Sequence, residues 1–385
     1  MKKLLKVLAW IIGLPLLILN IYILFSGKTY LYKALTYNFV DITDNDLFHQ
    51  RKIETANGIE WPLHQQYNKM NAPDYLLKML EDNKSVAYLV IKNDSLLFEK
   101  YWEGFSDKSL SNSFSMAKSI VGVLVGIAVD EGKIKSLDQS VGDFIPEFKS
   151  GDKRKITIRH LLMMASGLDW DEAYANPLSV TTEAYYGTDL YELATSQQVV
   201  SEPGKVFIYQ SGSTELLALA LEKATGVSLS NYASEKLWKP LHAMNEAEWS
   251  LDTKMGREKA YCCFYSNARD FARIGALYMH DGLMYGKQIV SKDYVQMSTT
   301  PAPTMDEGEP NRFYGYHWWL RKFNERRVFY MRGILGQYVI VVPDEQLIIV
   351  RLGHERPQQK VEGGPADVPV FLKGAFEIAG IAVAD

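Results

Sequence analysis

The chain is 385 residues long, 47% of it is hydrophobic, and 42 Lys and Arg residues face 46 Asp and Glu residues. This composition is typical of globular proteins and excludes an intrinsically disordered chain. The near-balance of charge excludes the strongly basic surface that nucleic-acid binding requires, so we predict no nucleic-acid partner.

The only two cysteines, Cys262 and Cys263, are adjacent. Neighbouring residues rarely reach disulfide geometry, which excludes a disulfide-built scaffold and favours two buried thiols over a cysteine nucleophile. A zinc site with four cysteine ligands is excluded as well, and no H-E-x-x-H motif occurs among the seven histidines. The sequence therefore implies neither a metal nor an organic cofactor.

The N-terminal segment determines the predicted location. Lys2, Lys3 and Lys6 precede an uncharged run over residues 7–27, which at helical rise spans about 31 Å, or one hydrocarbon core. We expect residues 1–6 in the cytoplasm, residues 7–27 as an uncleaved transmembrane anchor, and the rest on the periplasmic or extracellular side. A cleaved signal peptide is the alternative, although the run ends in a poor cleavage site.

The remainder of the chain divides into two predicted parts. Residues 28–70 mix aromatic and charged side chains and are predicted to be a juxtamembrane linker with little core of its own. Residues 71–385 have the dense apolar pattern of one globular domain. Within it, residues 86–91 and 96–101 predict a β-hairpin that turns at an Asn-Asp pair.

The middle of the domain is predicted to be helical. Residues 115–131 are apolar on nearly all sides, which indicates a buried helix that ends at Gly132. Further helices are predicted over residues 158–164, 216–225, 268–280 and 371–381, and strands over residues 328–333, 336–342 and 346–352. Because strands lie at both ends of the domain, the two ends must pair into one sheet, and the middle is an inserted helical lobe of an α/β (α+β) fold.

The first chemical feature is the S-x-x-K segment formed by Ser115 and Lys118 at the start of the buried helix. A serine and a lysine three residues apart share one helix face and lie within hydrogen-bond reach. A serine becomes a good nucleophile only when a base takes its proton, and a lysine near apolar or electropositive neighbours can lose its own near neutral pH. The pattern alone is weak, because Ser150 and Lys153 share it in a predicted solvated loop, and an N-capping serine fits Ser115 equally well.

Two further features follow along the chain. Tyr209 and Ser211 lie in a Y-Q-S segment, where a tyrosine beside a lysine can act as acid or base, although a half-buried structural tyrosine is the simpler explanation. Arg332, Gly333 and Ile334 end a predicted strand. There a glycine lets a ligand approach the backbone and the next N–H can face an oxyanion, with a glycine hairpin or bulge as the structural alternative.

Taken in order, these features resemble the S-x-x-K, Y-x-[NS] and K-T-G-like motifs of the serine β-lactamase and penicillin-binding-protein family. The similarity runs from about residue 80 to 380 and includes residues 118–148, an H-L-L-x-x-x-S-G-L segment at 160–168 and a Y-G-Y-H-W-W segment at 314–319. The resemblance is closest to the branch of 6-aminohexanoate-dimer hydrolases and class C-like esterases. Its signs are the Y-Q-S form of the second motif, the G-I-L-G-Q form of the third, and a W-D-E-A-Y-A-N-P loop.

The resemblance implies a β-lactamase/DD-peptidase-like fold, in which an antiparallel sheet is flanked by helices and carries an all-helical lobe. It implies that Ser115 is the nucleophile, that Lys118 and Tyr209 move its proton, and that Tyr174 in the W-D-E-A-Y loop contacts a substrate amide. The expected oxyanion hole consists of the backbone N–H groups of Ser115 and Ile334. The expected substrate-binding residues are Tyr174, Ser211, Arg332 and Gly333.

The chain departs from typical β-lactamases at two of these motifs. Met331, followed by Arg332, stands where those enzymes begin the third motif with Lys or His, so Arg332 would have to bind a substrate carboxylate in its place. Ser211 stands where they have Asn. Both changes favour a broader esterase or amidase over efficient β-lactam hydrolysis.

We therefore predict a membrane-tethered serine hydrolase that cleaves ester or amide bonds of a small molecule or short peptide through an acyl-enzyme on Ser115. Tyr209 is expected to return the proton to the leaving group and later to activate water. One alternative is a D-alanyl-D-alanine carboxypeptidase or β-lactamase that acts on cell-wall peptides or β-lactams. The other is a non-catalytic penicillin-binding-like protein.

Overall fold

The computed structural model describes residues 2–361 and 364–383, without the side chains of residues 2 and 4–9. Met1 of the predicted cytoplasmic segment lies outside the described residues, as do 362, 363, 384 and 385 of the predicted domain. The described α-helices are α1 (Lys2–Ser26), α2 (Tyr30–Tyr37), α3 (Asp74–Asp82), α4 (Met116–Asp130), α5 (Ile158–Leu162), α6 (Val180–Tyr186), α7 (Leu190–Thr195), α8 (Ser211–Thr225), α9 (Leu229–Ala233), α10 (Ala268–Met279), α11 (Lys292–Ser298) and α12 (Asp367–Ile378).

The described strands form two larger sheets and several two-stranded ribbons. They are β1 (His49–Ile53), β2 (Ser85–Lys92), β3 (Ser95–Tyr101), β4 (Ser111–Asn112), β5 (Ala247–Leu251), β6 (Phe264–Ser266), β7 (Leu283–Met284), β8 (Lys287–Gln288), β9 (Met305–Asp306), β10 (Glu309–Pro310), β11 (Trp319–Phe323), β12 (Arg326–Gly333), β13 (Gln337–Val342), β14 (Leu347–Gly353), β15 (Lys360–Val361) and β16 (Gly364–Pro365).

The central sheet is antiparallel and has the strand order β11-β12-β13-β14-β2-β3. Strands β2 and β3 are the predicted hairpin. Asn93 and Asp94 form its turn with φ values of 48° and 58°, as a tight hairpin between right-twisted strands requires. Strand β14 pairs with β2, which confirms the prediction that the two ends of the domain meet in one sheet.

Helices cover both faces of this sheet. Helices α3 and α12 pack on one face, where Leu76 and Phe371 are fully buried, and α10 packs on the other. The inserted lobe includes α4, the predicted buried helix, which contacts β12 and β13 and whose side chains from Met116 to Ala128 are all inside the protein. Gly126 permits this packing, because a Cβ atom there would lie 2.4 Å from the ring of Tyr294.

A smaller sheet, of order β1-β5-β6-β4, ties the N-terminal region to the middle of the chain. Strand β1 pairs antiparallel with β5, Ile42 and Ile53 are fully buried, and Trp61 is nearly so. The stretch 28–70 therefore differs from the predicted linker. Its few apolar side chains pack into a core that consists mainly of residues far away in the sequence.

The N-terminal helix α1 also differs from its prediction. Within the described part of the chain, no helix is long and apolar enough to cross a membrane, so the predicted transmembrane anchor over residues 7–27 is not supported. Near the C-terminal end of α1, Ile23 is fully buried in a cluster of domain residues, and the Asn20 side chain accepts a hydrogen bond from the Tyr32 hydroxyl at 2.8 Å. This end of the helix belongs to the fold of the domain. The location outside the cytoplasmic membrane, deduced from the same segment, stays a prediction.

Candidate active site

The S-x-x-K segment begins at a strained turn between β4 and α4. Phe114 has a φ of 43°, a left-handed backbone that bulky residues rarely adopt. Its N–H donates to Asn112 Oδ1 at 2.9 Å and its ring is buried, so the surroundings hold the turn in place. The turn places Ser115 at the head of α4, directly before the first helical residue, with its side chain at the wall of a cavity.

Lys118 lies one helical turn from Ser115 and is almost fully buried. Its Nζ lies 3.0 Å from Ser115 Oγ and 3.0 Å from the carbonyl oxygen of Tyr261. Burial lowers the pKa of Lys118 to about 8, and the nearby carboxylates of Glu172 and Glu215 partly oppose that shift. A lysine with this pKa is partly neutral at physiological pH, so it can accept the proton of Ser115.

Tyr209 lies beside this pair, with its ring centroid 5.0 Å from Lys118 Nζ. The ring packs among the aromatic side chains of the 314–319 segment. Burial and the charge of Glu172 raise the pKa of Tyr209, and a hydrogen bond with Ser115 only partly offsets the rise. The phenol therefore stays protonated at neutral pH, which suits a proton donor better than a base.

Glu172 is a site residue that the sequence analysis missed. Its carboxylate accepts hydrogen bonds from the Ser211 N–H at 2.7 Å, the Ser211 hydroxyl at 2.6 Å and the Tyr174 hydroxyl at 2.6 Å. It therefore connects two of the predicted substrate-binding residues. Its negative charge opposes the lowering of the Lys118 pKa by burial and adds to the raising of the Tyr209 pKa. Its place in the W-D-E-A-Y loop, two residues before Tyr174, was the one available sequence signal.

The third motif closes the site from the end of β12. A Cβ on Gly333 would lie 2.3 Å from the Ser113 carbonyl oxygen, so a glycine is needed for β12 to approach the turn that carries the candidate nucleophile. Ile334, the next residue, lines the same cavity as that nucleophile. The Arg332 guanidinium stacks over the Trp319 ring, 4.5 Å from its centroid. Thus the structure brings the three predicted motifs together. Gly333 contributes by letting the backbone of β12 pack closely against Ser113.

Two buried side chains form hydrogen bonds with backbone groups that position Lys118 and its partner carbonyl. His317 Nδ1 lies 2.7 Å from the Lys118 carbonyl oxygen, and burial lowers the pKa of His317 to about 4, so the neutral ring donates to that carbonyl. Glu215 in α8 accepts a hydrogen bond from the Ala260 N–H at 3.0 Å, and burial raises the pKa of this carboxyl well above its usual range. Ala260 directly precedes Tyr261, so this contact helps to place the carbonyl that Lys118 uses.

The two cysteines contradict their prediction. Cys262 and Cys263 are joined by a disulfide bond, so the expectation of two buried thiols was wrong. Adjacent cysteines need an unusual backbone to pair, and Cys263 has one, with a φ of 64°. Cys262 lines the same cavity as Ser115, which makes the bridge part of the wall of the site.

Comparison with known proteins agrees with this arrangement. The family model described as Beta-lactamase matches residues 77–367, a stretch that contains the S-x-x-K serine, the Y-Q-S segment and the third motif. The chain belongs to the β-lactamase family.

The chain is similar in sequence or in fold to several proteins described as hydrolases. The 6-aminohexanoate-dimer hydrolase of Paenarthrobacter ureafaciens is 30% identical over 299 residues, which cover 73% of this chain and 75% of that protein. A Bacillus anthracis structure, provisionally described as a 6-aminohexanoate-dimer hydrolase, aligns with a TM-score of 0.77 at 22% identity over 88% of this chain and 94% of that one. A family VIII carboxylesterase aligns with a TM-score of 0.64 at 18% identity over 83% and 99% of the two chains. These matches confirm the predicted resemblance and the mixed α/β fold.

Proposed function

We propose that the protein is a serine hydrolase that cleaves ester or amide bonds through an acyl-enzyme on Ser115. The observation that carries the proposal is the 3.0 Å contact between the Ser115 hydroxyl and the buried amine of Lys118, whose pKa is lowered to about 8. A nucleophile and a base are thereby in contact at the head of a helix. The 30% identity with a protein named 6-aminohexanoate-dimer hydrolase supports a hydrolytic reaction.

In the acylation half-reaction, Ser115 Oγ attacks the carbonyl carbon of the substrate and passes its proton to Lys118 Nζ. The N–H groups of Ser115 and Ile334 would stabilise the oxyanion, and one such donor commonly contributes about 3–4 kcal/mol. When the bond to the leaving group breaks, Tyr209 donates its proton to the departing oxygen or nitrogen. The extra proton on Lys118 then moves to the Tyr209 oxygen, which restores both groups.

In the deacylation half-reaction, water attacks the acyl carbon and passes a proton to the neutral Lys118. The bond to Ser115 Oγ breaks, the product acid leaves, and Lys118 returns the proton to Ser115. This scheme makes Lys118 the base in both halves. It differs from the predicted activation of water by Tyr209, because burial raises the pKa of that phenol and keeps its proton in place.

The remaining polar groups of the site would bind the substrate. The hydroxyls of Tyr174 and Ser211, which both donate to Glu172, would contact the polar part of an ester or amide. The Arg332 guanidinium, which stacks over the Trp319 ring, would pair with a substrate carboxylate through its N–H groups.

The rate should rise with pH, because Lys118 acts as a base only in its neutral form. For the full-length protein with p-nitrophenyl butyrate, kcat/KM should increase about tenfold per pH unit below pH 8 and level off above it. The profile is measured between about pH 6 and 10 and corrected for spontaneous hydrolysis. A rate that is already constant from pH 6 upward would contradict Lys118 as the base.

Lys259 provides a matched control for this profile. It is also fully buried, and burial lowers its pKa to about 8, but its Nζ donates to the Ala184 carbonyl oxygen at 3.1 Å. A Lys259→Met variant should keep the midpoint of the wild-type profile. Loss of the midpoint in that variant would assign the titration to Lys259 instead of Lys118.

A Glu172→Gln variant should lose about 10- to 100-fold in kcat/KM for the same ester. The glutamine amide nitrogen cannot accept a hydrogen bond from Ser211, and a hydrogen bond to a charged group is worth about 1.5–3 kcal/mol. Steady-state kinetics measures the loss. The surface variant Glu202→Gln is the control and should match the wild type, whereas an unchanged Glu172→Gln would show that the carboxylate does not position the site.

A further inference from the structure

The cavity at Ser115 has a larger volume than the scissile ester or amide group alone would fill. Its volume is about 540 Å³, within the range of sites that hold whole small molecules. Most of the side chains that line it are aliphatic or aromatic. None of those lining residues, all of which the structure describes, carries a charge. The nucleophile therefore opens into an apolar space.

Part of the wall of this cavity comes from the N-terminal region, where residues 34, 35 and 38–40, in and just after α2, line it. Helix α2, which leads into this segment, packs against α6 of the domain. Tyr30 and Leu31 are buried, and Lys28 Nζ pairs with Glu183 of α6 at 2.9 Å. Residues 34–40 precede the region that the family model matches, which begins at residue 77.

Another part of the wall consists of side chains that the core holds in place. Tyr185 and Tyr186 of α6 and the disulfide-bonded Cys262 are all buried and line the cavity. At the mouth, by contrast, Leu35 is 50% exposed and Phe39 is 82% exposed. Apolar surface of this kind is stabilised when an apolar ligand removes it from water.

We propose that the substrate carries an apolar chain next to its scissile carbonyl, and that this chain lies between residues 34–40 and α6. The inference rests on the proposed function, because it places the reacting carbonyl at Ser115. Leu35 and Phe39 are then specificity-determining residues. Each methylene group that moves from water into this cavity should raise kcat/KM about fourfold.

Two ester series test the proposal with the full-length protein. The first keeps p-nitrophenol as the leaving group and lengthens the acyl group from acetyl to butyryl to octanoyl. The second keeps the acetyl group and lengthens the alcohol from methyl to octyl. We expect kcat/KM to rise at least about tenfold along one series, which identifies the side of the scissile bond that carries the chain. No rise along either series would overturn the proposal.

A charge at the mouth tests the N-terminal wall. Phe39→Asp should lower the ratio of long-chain to short-chain kcat/KM by about fivefold or more, since a carboxylate next to the chain keeps water there. Met255→Asp is the matched control, because Met255 is 87% exposed but does not line this cavity. It should keep the wild-type ratio. The wild-type ratio in Phe39→Asp would exclude residues 34–40 from chain binding.

A binding measurement separates failure of this inference from failure of the proposed function. The Ser115→Ala protein is titrated by calorimetry with N-methyloctanamide, N-octylacetamide and the short N-methylacetamide, so that no catalysis is needed. Binding of one long amide at least about tenfold tighter than the short one supports the chain site, even if the wild-type protein hydrolyses no ester. Equal binding of all three amides overturns it, even if esters are hydrolysed.

Discussion

Replacing Ser115 with alanine should lower kcat for p-nitrophenyl butyrate by about 10⁵-fold or more, as removal of the nucleophile does in other serine hydrolases. Without Oγ no acyl-enzyme can form, and Lys118 has no serine proton to accept. The free energy of unfolding should change by less than about 2 kcal/mol, because the hydrogen bonds of Ser115 with Lys118 and Tyr209 are lost but Lys118 keeps its contact with the Tyr261 carbonyl. Spectrophotometric assay and thermal melting measure the two effects.

The chain contains its own control for this experiment. Ser150 and Lys153 form a second S-x-x-K pattern, but Ser150 is exposed and Lys153 Nζ donates to the Thr195 carbonyl oxygen at 2.8 Å. Ser150→Ala should therefore retain full activity. Rapid acid quenching followed by mass spectrometry should find the butyryl group on the wild-type peptide that contains Ser115. Substantial turnover by Ser115→Ala would refute the assignment of the nucleophile.

Local patterns were sufficient for the parts of the fold that interact with near neighbours. The hairpin of β2 and β3 needs only two apolar runs and an Asn-Asp turn, and all of these are adjacent in the sequence. The burial of α4 follows from its apolar side chains on every face. The pairing of β14 with β2 followed from the position of strands at both ends, since an unpaired sheet half is unstable.

Features that depend on distant partners could not be predicted in this way. Strand β1 reads His-Gln-Arg-Lys-Ile and has no apolar alternation, so its pairing with β5 could not be predicted from its own pattern. The disulfide between Cys262 and Cys263 depends on a left-handed backbone at Cys263, which the residue types there do not predict. The contact of Ile23 with the domain likewise arises from a cluster assembled from several separate segments.

The same distinction applies to the candidate site. Helical periodicity alone places Ser115 and Lys118 on one face of α4, and the structure shows them in contact. The pKa of Lys118, however, depends on burial by the whole lobe and on the charge of Glu172, which reaches the site from a loop. Sequence spacing therefore predicted that Ser115 and Lys118 are neighbours, but the proposal of Lys118 as the base required three-dimensional contacts.

Removing only the hydroxyl of Tyr209 should lower kcat by different factors for substrates with different leaving groups. A Tyr209→Phe variant keeps a ring that can pack against Trp319 and Tyr314 but cannot donate a proton. The p-nitrophenolate ion is a stable leaving group that needs no proton, so kcat for p-nitrophenyl butyrate should fall by less than about tenfold. For the methyl ester and the N-methylamide of butyric acid, which do need one, the loss should reach about 10²- to 10⁴-fold.

The comparison with a matched variant decides what the hydroxyl does. Tyr75→Phe also removes a hydroxyl, one that donates to Glu377 at 2.9 Å on the surface, and should leave all three rates unchanged. Losses of equal size on the activated ester, the methyl ester and the amide would show that Tyr209 acts before the leaving group departs. Because Lys118 would then not suffice to activate Ser115, that result would transfer the role of base to Tyr209 despite its raised pKa.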